Sequence, residues 1–229
     1  MFYYWDPTYV LVIFALILSM IASFGVNVTF NKYKKQRTQR GITGADAARR
    51  VLDMNGLQHI KIERISGNLT DHFDPRAGVI RLSDATYDDD SVAAVGVAAH
   101  EAGHAVQHAV GYAPIKVRNS IIPVVNIGNA LSMPLFILGL ILGMTGLAYL
   151  GVILFSFTLV FQLVTLPVEF NASRRAIAIL DESMMLYEDE IRPAKKVLKA
   201  AAMTYVAAVA ATALQLLRFL LILGGRRDD

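Results

Sequence analysis

The chain has 229 residues, of which 55% are hydrophobic and only 18% charged, with a formal net charge of +3. That is too apolar for an ordinary soluble domain and calls for membrane segments. With no cysteine present, disulfide, thiol and cysteine-ligand chemistry are excluded.

The first apolar segment runs from Tyr9 to about Val28. Asp6 and Pro7 precede it and no Lys or Arg occurs before Lys32, so it lacks the positive n-region of a signal peptide and reads as a retained anchor. Phe2, Tyr3, Tyr4, Trp5 and Tyr9 form an aromatic belt at its outer end. Lys32, Lys34, Lys35, Arg37 and Arg40 follow as a stop-transfer cluster. By the positive-inside rule they put the next loop in the cytoplasm. The excess positive charge is therefore membrane-flanking rather than a nucleic-acid patch, and no nucleic-acid partner is expected.

Thr43 to Asn55 reads as a helix capped by Thr43 and stopped at Gly56. Ile60 to Ile65 alternates apolar and polar residues, the pattern of a strand with one buried face. His59, just before it, reads as structural. Asp71-His72-Phe73-Asp74 reads as a turn rich in cap-forming Asp, with a metal role as the alternative, continuing into Asp74-Pro75-Arg76-Ala77. Gly78, Val79, Ile80, Arg81 and Leu82 form a second strand, expected to be the sheet edge that pairs with an extended peptide substrate, the alternative being a structural hairpin that covers the next helix.

Next comes His100-Glu101-Ala102-Gly103-His104, an H-E-x-x-H sequence within an Ala- and Val-rich stretch that begins after Asp88-Asp89-Asp90-Ser91. The aspartates and Ser91 suit a helix start. On a helix, positions i and i+4 share a face, so both imidazoles can reach one zinc ion. Glu101 sits beside the metal rather than on it, where it can take a proton from the attacking water. A buried Ala-rich helix would not carry two His and a Glu without partners. Catalytic zinc usually takes three protein ligands. His108 lies a further turn along, but i, i+4 and i+8 on a straight helix cannot surround a tetrahedral ion, so the third ligand is expected from another helix.

From Asn119 to Val168 no Asp, Glu, Lys or Arg occurs. That length fits two membrane spans with a tight hairpin at Gly143-Met144-Thr145-Gly146. Glu169 is the first charge after this run, and Pro167 before it suits the first turn of a helix. The residues alone leave Glu169 open between a metal ligand and a carboxylate favoured by a helix N-terminus. The last segment, Ala200 to Leu223, is neutral except for Arg218 and reads as a helix entering the membrane late. Arg226 and Arg227, offset by Asp228 and Asp229, would lie outside. Intramembrane charge is otherwise absent, which disfavours an ion or proton transporter.

The expected organisation is a transmembrane anchor (1–30), a cytoplasmic catalytic part (31–118), a transmembrane hairpin (119–168), a cytoplasmic helix (169–199) and a C-terminal transmembrane helix (200–229). The fold class is mainly α, a membrane helix bundle with a small α+β zincin-like part carrying HExxH on a helix.

Asp71 to Pro75, Leu82-Ser83, Val97 to Gln107 and Leu166 to Ala176 together resemble the YugP-like neutral zinc metallopeptidases, bacterial membrane proteins, over nearly the whole chain. More distantly, the plan is similar to the HtpX-type membrane gluzincins, whose Glu-x-x-x-Asp motif supplies the third zinc ligand. The resemblance implies that Glu169 is that ligand and that one Zn2+ is held per chain. Ser173 stands where the HtpX-type motif has Asp, and Asn171 stands where the YugP-like group often has Asp. Asn171, Ser173, His108, Arg174 and Arg175 are the candidates for orienting the ligands or stabilising an oxyanion. The expected function is a membrane-embedded zinc endopeptidase in the bacterial plasma membrane, multi-pass, with its active site on the cytoplasmic side. Its partners would be polypeptide substrates and lipid. The alternative is a zinc-binding membrane scaffold without proteolytic activity.

Overall fold

In the computed structural model, which describes residues 6–225, the chain is mainly helical with one small sheet. The elements in order are α1 (Tyr9–Tyr33), α2 (Gly44–Met54), β1 (Lys61–Ile65), β2 (His72–Asp74), β3 (Val79–Ser83), α3 (Val92–Ala109), α4 (Ala113–Ile141), α5 (Thr145–Glu182) and α6 (Glu188–Gly225). By length and composition, α1, α4, α5 and α6 can each cross a membrane. Their apolar side chains stay on the outside, as a lipid solvent requires: Phe14, Ile21 and Phe24 of α1 and Ile141 and Ile153 of the hairpin are all exposed. The aromatic group Phe2 to Trp5 and the terminal charges Arg226, Arg227, Asp228 and Asp229 lie outside the described residues.

The chain divides into two compact units. One consists of Met1–Ser23, Val117–Leu166 and Thr204–Asp229. Here α4 and α5 approach closely because small residues line the crossing. A Cβ on Gly139 would come within 2.3 Å of the Ala148 nitrogen, and one on Gly151 within 2.6 Å of the Ser132 carbonyl. Phe136, Ala148, Val152, Phe219 and Leu223 fill the core of this unit. Arg218, the lone charge of the last apolar segment, reaches the start of α1. Its Nε donates to Thr8 Oγ1 at 3.2 Å, its Nη2 lies 3.7 Å from Asp6 Oδ2, and its guanidinium stacks over Tyr9.

The second unit consists of Phe24–Lys116 and Pro167–Met203 and carries every candidate site residue. In it, α2 starts with a full capping box: Thr43 Oγ1 accepts from the Asp46 amide, and the Asp46 carboxylate accepts from the Thr43 amide. Its apolar face, Ala47, Ala48, Val51 and Leu52, is fully buried against α3. Val51 and Leu52 contribute roughly 1.5–3 kcal/mol each when fully buried, and each alanine methyl less. The sheet order is β1-β3-β2, with β1 parallel and β2 antiparallel to β3.

This order corrects the substrate-edge assignment. The segment Gly78, Val79, Ile80, Arg81 and Leu82 supplies the central strand, with backbone partners on both sides, so it offers no free edge. The outer strand packed against α3 is β2, in the segment read as a turn. Asp74 does make the expected turn, accepting from the Arg76 and Ala77 amides, but His72 to Asp74 pair with β3 before it. A second correction concerns Pro167. It lies within α5 rather than at a helix start. A membrane helix tolerates an internal proline because neighbouring groups re-satisfy the one freed carbonyl.

Candidate metal centre

The α3 helix begins at Ser91, whose Oγ accepts from the Ala94 amide at 3.2 Å, while Asp89 Oδ1 accepts from the Ser91 amide at 2.9 Å. From there the helix is almost wholly buried, and His100 and His104 emerge on one face one turn apart. Their rings meet edge to face with centroids 4.7 Å apart. Glu169, on α5, is only 4% exposed and faces both of them. Its Oε2 lies 3.3 Å from His100 Nε2 and 3.5 Å from His104 Nε2.

The close approach of α3 and α5 at this level depends on Gly103. A Cβ there would lie 2.9 Å from the Ala172 carbonyl oxygen. A glycine between the two His thus lets α5 bring Glu169 and Ser173 onto them.

Both imidazoles are oriented through their other nitrogen. Gln107 Oε1 lies 3.0 Å from His104 Nδ1, and an amide oxygen only accepts, so Nδ1 carries the proton and Nε2 offers its lone pair. Gln107 is itself fully buried, its Nε2 donating to the Val168 carbonyl at 2.8 Å and to Asn171 Oδ1 at 3.0 Å. Arg175 Nε donates to the same Asn171 oxygen at 2.8 Å. Ser173 Oγ lies 3.1 Å from His100 Nδ1. Of the two residues expected to orient an imidazole, Ser173 makes that contact, to His100, while Asn171 acts on Gln107 and touches neither imidazole through any of these bonds.

The three donor atoms lie within 4.8 Å of one another. Zinc with bonds near 2.05 Å in tetrahedral geometry needs ligand atoms about 3.3 Å apart. The two His–Glu separations match that spacing, and two neutral imidazoles with one carboxylate are a donor set suited to catalytic zinc. The residues therefore fit the ion. Burial works to lower the His104 pKa, but the Glu169 hydrogen bond, the charges of Glu101 and Glu169, and Gln107 outweigh it, so the net direction is upward.

The remaining candidates fall elsewhere. Glu101 is half-buried on the turn of α3 between His100 and His104. His108 is exposed in the last turn of α3, its ring 6.0 Å from that of Phe73 in β2. Arg174 is exposed, and Arg175 is tied to Asn171. Gln107 escaped the sequence reading. The available signal was a lone amide three residues past His104, on the same helical face as both His.

The family model described as "Putative neutral zinc metallopeptidase" matches residues 8–224. The chain is 47% identical over 219 residues to the "Putative membrane protease YugP" of Bacillus subtilis (strain 168), covering 96% of this chain and 97% of that protein. No solved structure matches. With four apolar helices and a His-His-Glu group able to hold a metal ion, this chain belongs to the neutral zinc metallopeptidase family of membrane proteins.

Proposed function

We propose that the protein is a membrane zinc endopeptidase with one zinc per chain, held by His100, His104 and Glu169, and that it cleaves membrane or membrane-associated polypeptides. The observation that carries this reading is the spacing of the three donor atoms, all within 4.8 Å, beside Glu101. When bound, zinc supplies Lewis acidity that polarises a peptide carbonyl and makes water acidic enough to ionise near neutrality. Glu101 takes the proton from the attacking water and passes it to the leaving amine, the general acid–base role its place beside His100 suits. Ser173 and Gln107 hold the imidazoles with Nε2 turned inward. The outer strand β2, packed against α3, is placed to pair with an extended substrate segment.

The basic cluster from Lys32 to Arg40 supports a cytoplasmic position for residues 31–118 and 169–199, with 1–30, 119–168 and 200–229 as the membrane parts. The test is to purify the full chain, measure zinc per chain, and follow chelator-sensitive cleavage of casein or of the protein itself. Glu101→Gln is expected to keep zinc and lose cleavage. Glu169→Ala is expected to lose zinc while His108→Ala keeps it. Zinc retained without turnover in wild type and Glu101→Gln alike would favour a scaffold, and zinc lost only on His108→Ala would overturn the ligand assignment.

A further inference from the structure

Away from the metal centre, a cavity of about 520 Å³ opens between the end of α1 and the first third of α6, lined by Val28, Thr29 and Lys32 on one helix and Lys196, Lys199 and Ala200 on the other. The two walls are held by a packed core in which Phe30, Tyr33 and Val197 are all buried. The lysines are thus mounted on fixed helical turns, not on a loop.

Three lysines line this cavity, and among the described residues no carboxylate pairs with any of them. Like charges brought together repel, and the described residues place no compensating anion against them. The cavity also sits where both helices change character. From Pro7 to Asn31 there is no Asp, Glu, Lys or Arg, and Lys32 is the first charge after that run. Lys199 is the last charge before the neutral run from Ala200 to Leu217. Each wall therefore carries its cations at the boundary of its own apolar segment, with Val28 and Ala200 on the apolar side.

We propose that this cavity is a binding site for an anionic phospholipid, with the headgroup phosphate on Lys32, Lys196 and Lys199 and an acyl chain along Val28 and Ala200. Basic pockets at the ends of membrane helices suit such headgroups, each lysine contributing about 1 kcal/mol, or roughly five-fold in affinity. A free phosphate ion would meet the same ammonium groups but gain nothing from the apolar side.

The test titrates the purified full chain in detergent with phosphatidylglycerol, phosphatidylcholine or inorganic phosphate, reading bound lipid by native mass spectrometry and the thermal midpoint in parallel. Lys196→Gln/Lys199→Gln is compared with Lys35→Gln/Lys195→Gln, which removes equal charge from outside the cavity. Phosphatidylglycerol is expected to bind and to raise the midpoint in wild type and in the control pair. In the cavity pair its affinity should fall by more than ten-fold. Three results would each overturn the proposal: equal losses in both pairs, equal binding of phosphatidylcholine, or the full midpoint shift from inorganic phosphate alone. A wild-type midpoint retained by the cavity pair separates lost binding from misfolding, and Lys196→Arg/Lys199→Arg, which keeps the charge, is expected to restore binding.

Discussion

Gln107 Oε1 accepts a hydrogen bond from His104 Nδ1 at 3.0 Å, and this fixes which nitrogen of His104 can meet a metal. The same amide reaches across to α5 through the Val168 carbonyl and Asn171. One buried side chain thus sets a tautomer and ties together the helices that supply the metal-binding group. Gln107→Leu is expected to weaken zinc binding ten- to a hundred-fold, the usual effect of losing an orienting partner. It also leaves the Val168 carbonyl without this donor, so stability should fall by about 1–3 kcal/mol. Zinc competition with a chromogenic chelator, read beside a thermal melt, checks both. Unchanged zinc affinity in Gln107→Leu would mean that the hydrogen bond does not govern the ligand.

Gly103→Ala puts a methyl group 2.9 Å from the Ala172 carbonyl oxygen, a distance real Cβ contacts do not tolerate. Because that oxygen is backbone on a packed helix, α5 has to move away from α3. The expected cost is about 1–3 kcal/mol of stability from overpacking. Zinc affinity should fall further than stability does, since Glu169 would move off the His pair. Ala102→Gly, at a neighbouring buried position on the same turn, serves as the control that perturbs helix propensity without adding volume. Zinc content and melting temperature of the two variants decide the matter.

Acid should release the metal. His104 has a raised pKa in the metal-free protein, so it stays protonated to higher pH than a free imidazole, and a protonated ring cannot ligate. Zinc affinity is therefore expected to be full above that raised value and to decline as pH falls through it. The sign is opposite for the metal-free fold. A raised folded-state pKa contributes stability that is present below the unfolded value and lost as pH rises through the folded one. The thermal shift produced by zinc should accordingly be large at pH 8 and small at pH 5. Melting the protein with and without zinc across that range measures the difference directly, and a pH-independent shift would contradict the role given to His104.

The parts of this architecture that depend on local chemistry were legible in the sequence. Thr43, and Ser91 after its aspartates, are caps whose bonds run to residues three positions away. The charge-free run from Asn119 to Val168 needed no tertiary information either. Relations between distant segments were less accessible. Whether Val79 to Leu82 lie at an edge or in the centre depends on where β2 pairs, and β2 is three residues of turn-forming composition. Pro167 misled because a proline that would end a soluble helix persists inside a long membrane one. Gln107 was hidden by chemistry of a different kind, since a single amide on an Ala-rich face has no motif of its own.

Ser173 makes a last test of the centre. Its hydroxyl lies 3.1 Å from His100 Nδ1, the contact that an Asp makes more strongly because a carboxylate stabilises a donating imidazole. Ser173→Ala removes the hydroxyl from a half-buried position and is expected to weaken zinc several-fold, less than Gln107→Leu does, because serine is a neutral partner that holds only His100. Ser173→Asp, which restores the charged acceptor of the HtpX-type pattern, is expected to bind zinc at least as tightly as wild type. It should also make the His100 ring a stronger electron donor. Cobalt substitution gives a readout independent of turnover, since the d–d spectrum reports ligand field and coordination number. The order Asp at or above Ser, and both above Ala, in zinc affinity, with a cobalt spectrum shifted in the Asp variant, is the expected result. An Ala variant equal to wild type in both measurements would show that His100 is oriented by the packing of α3 alone.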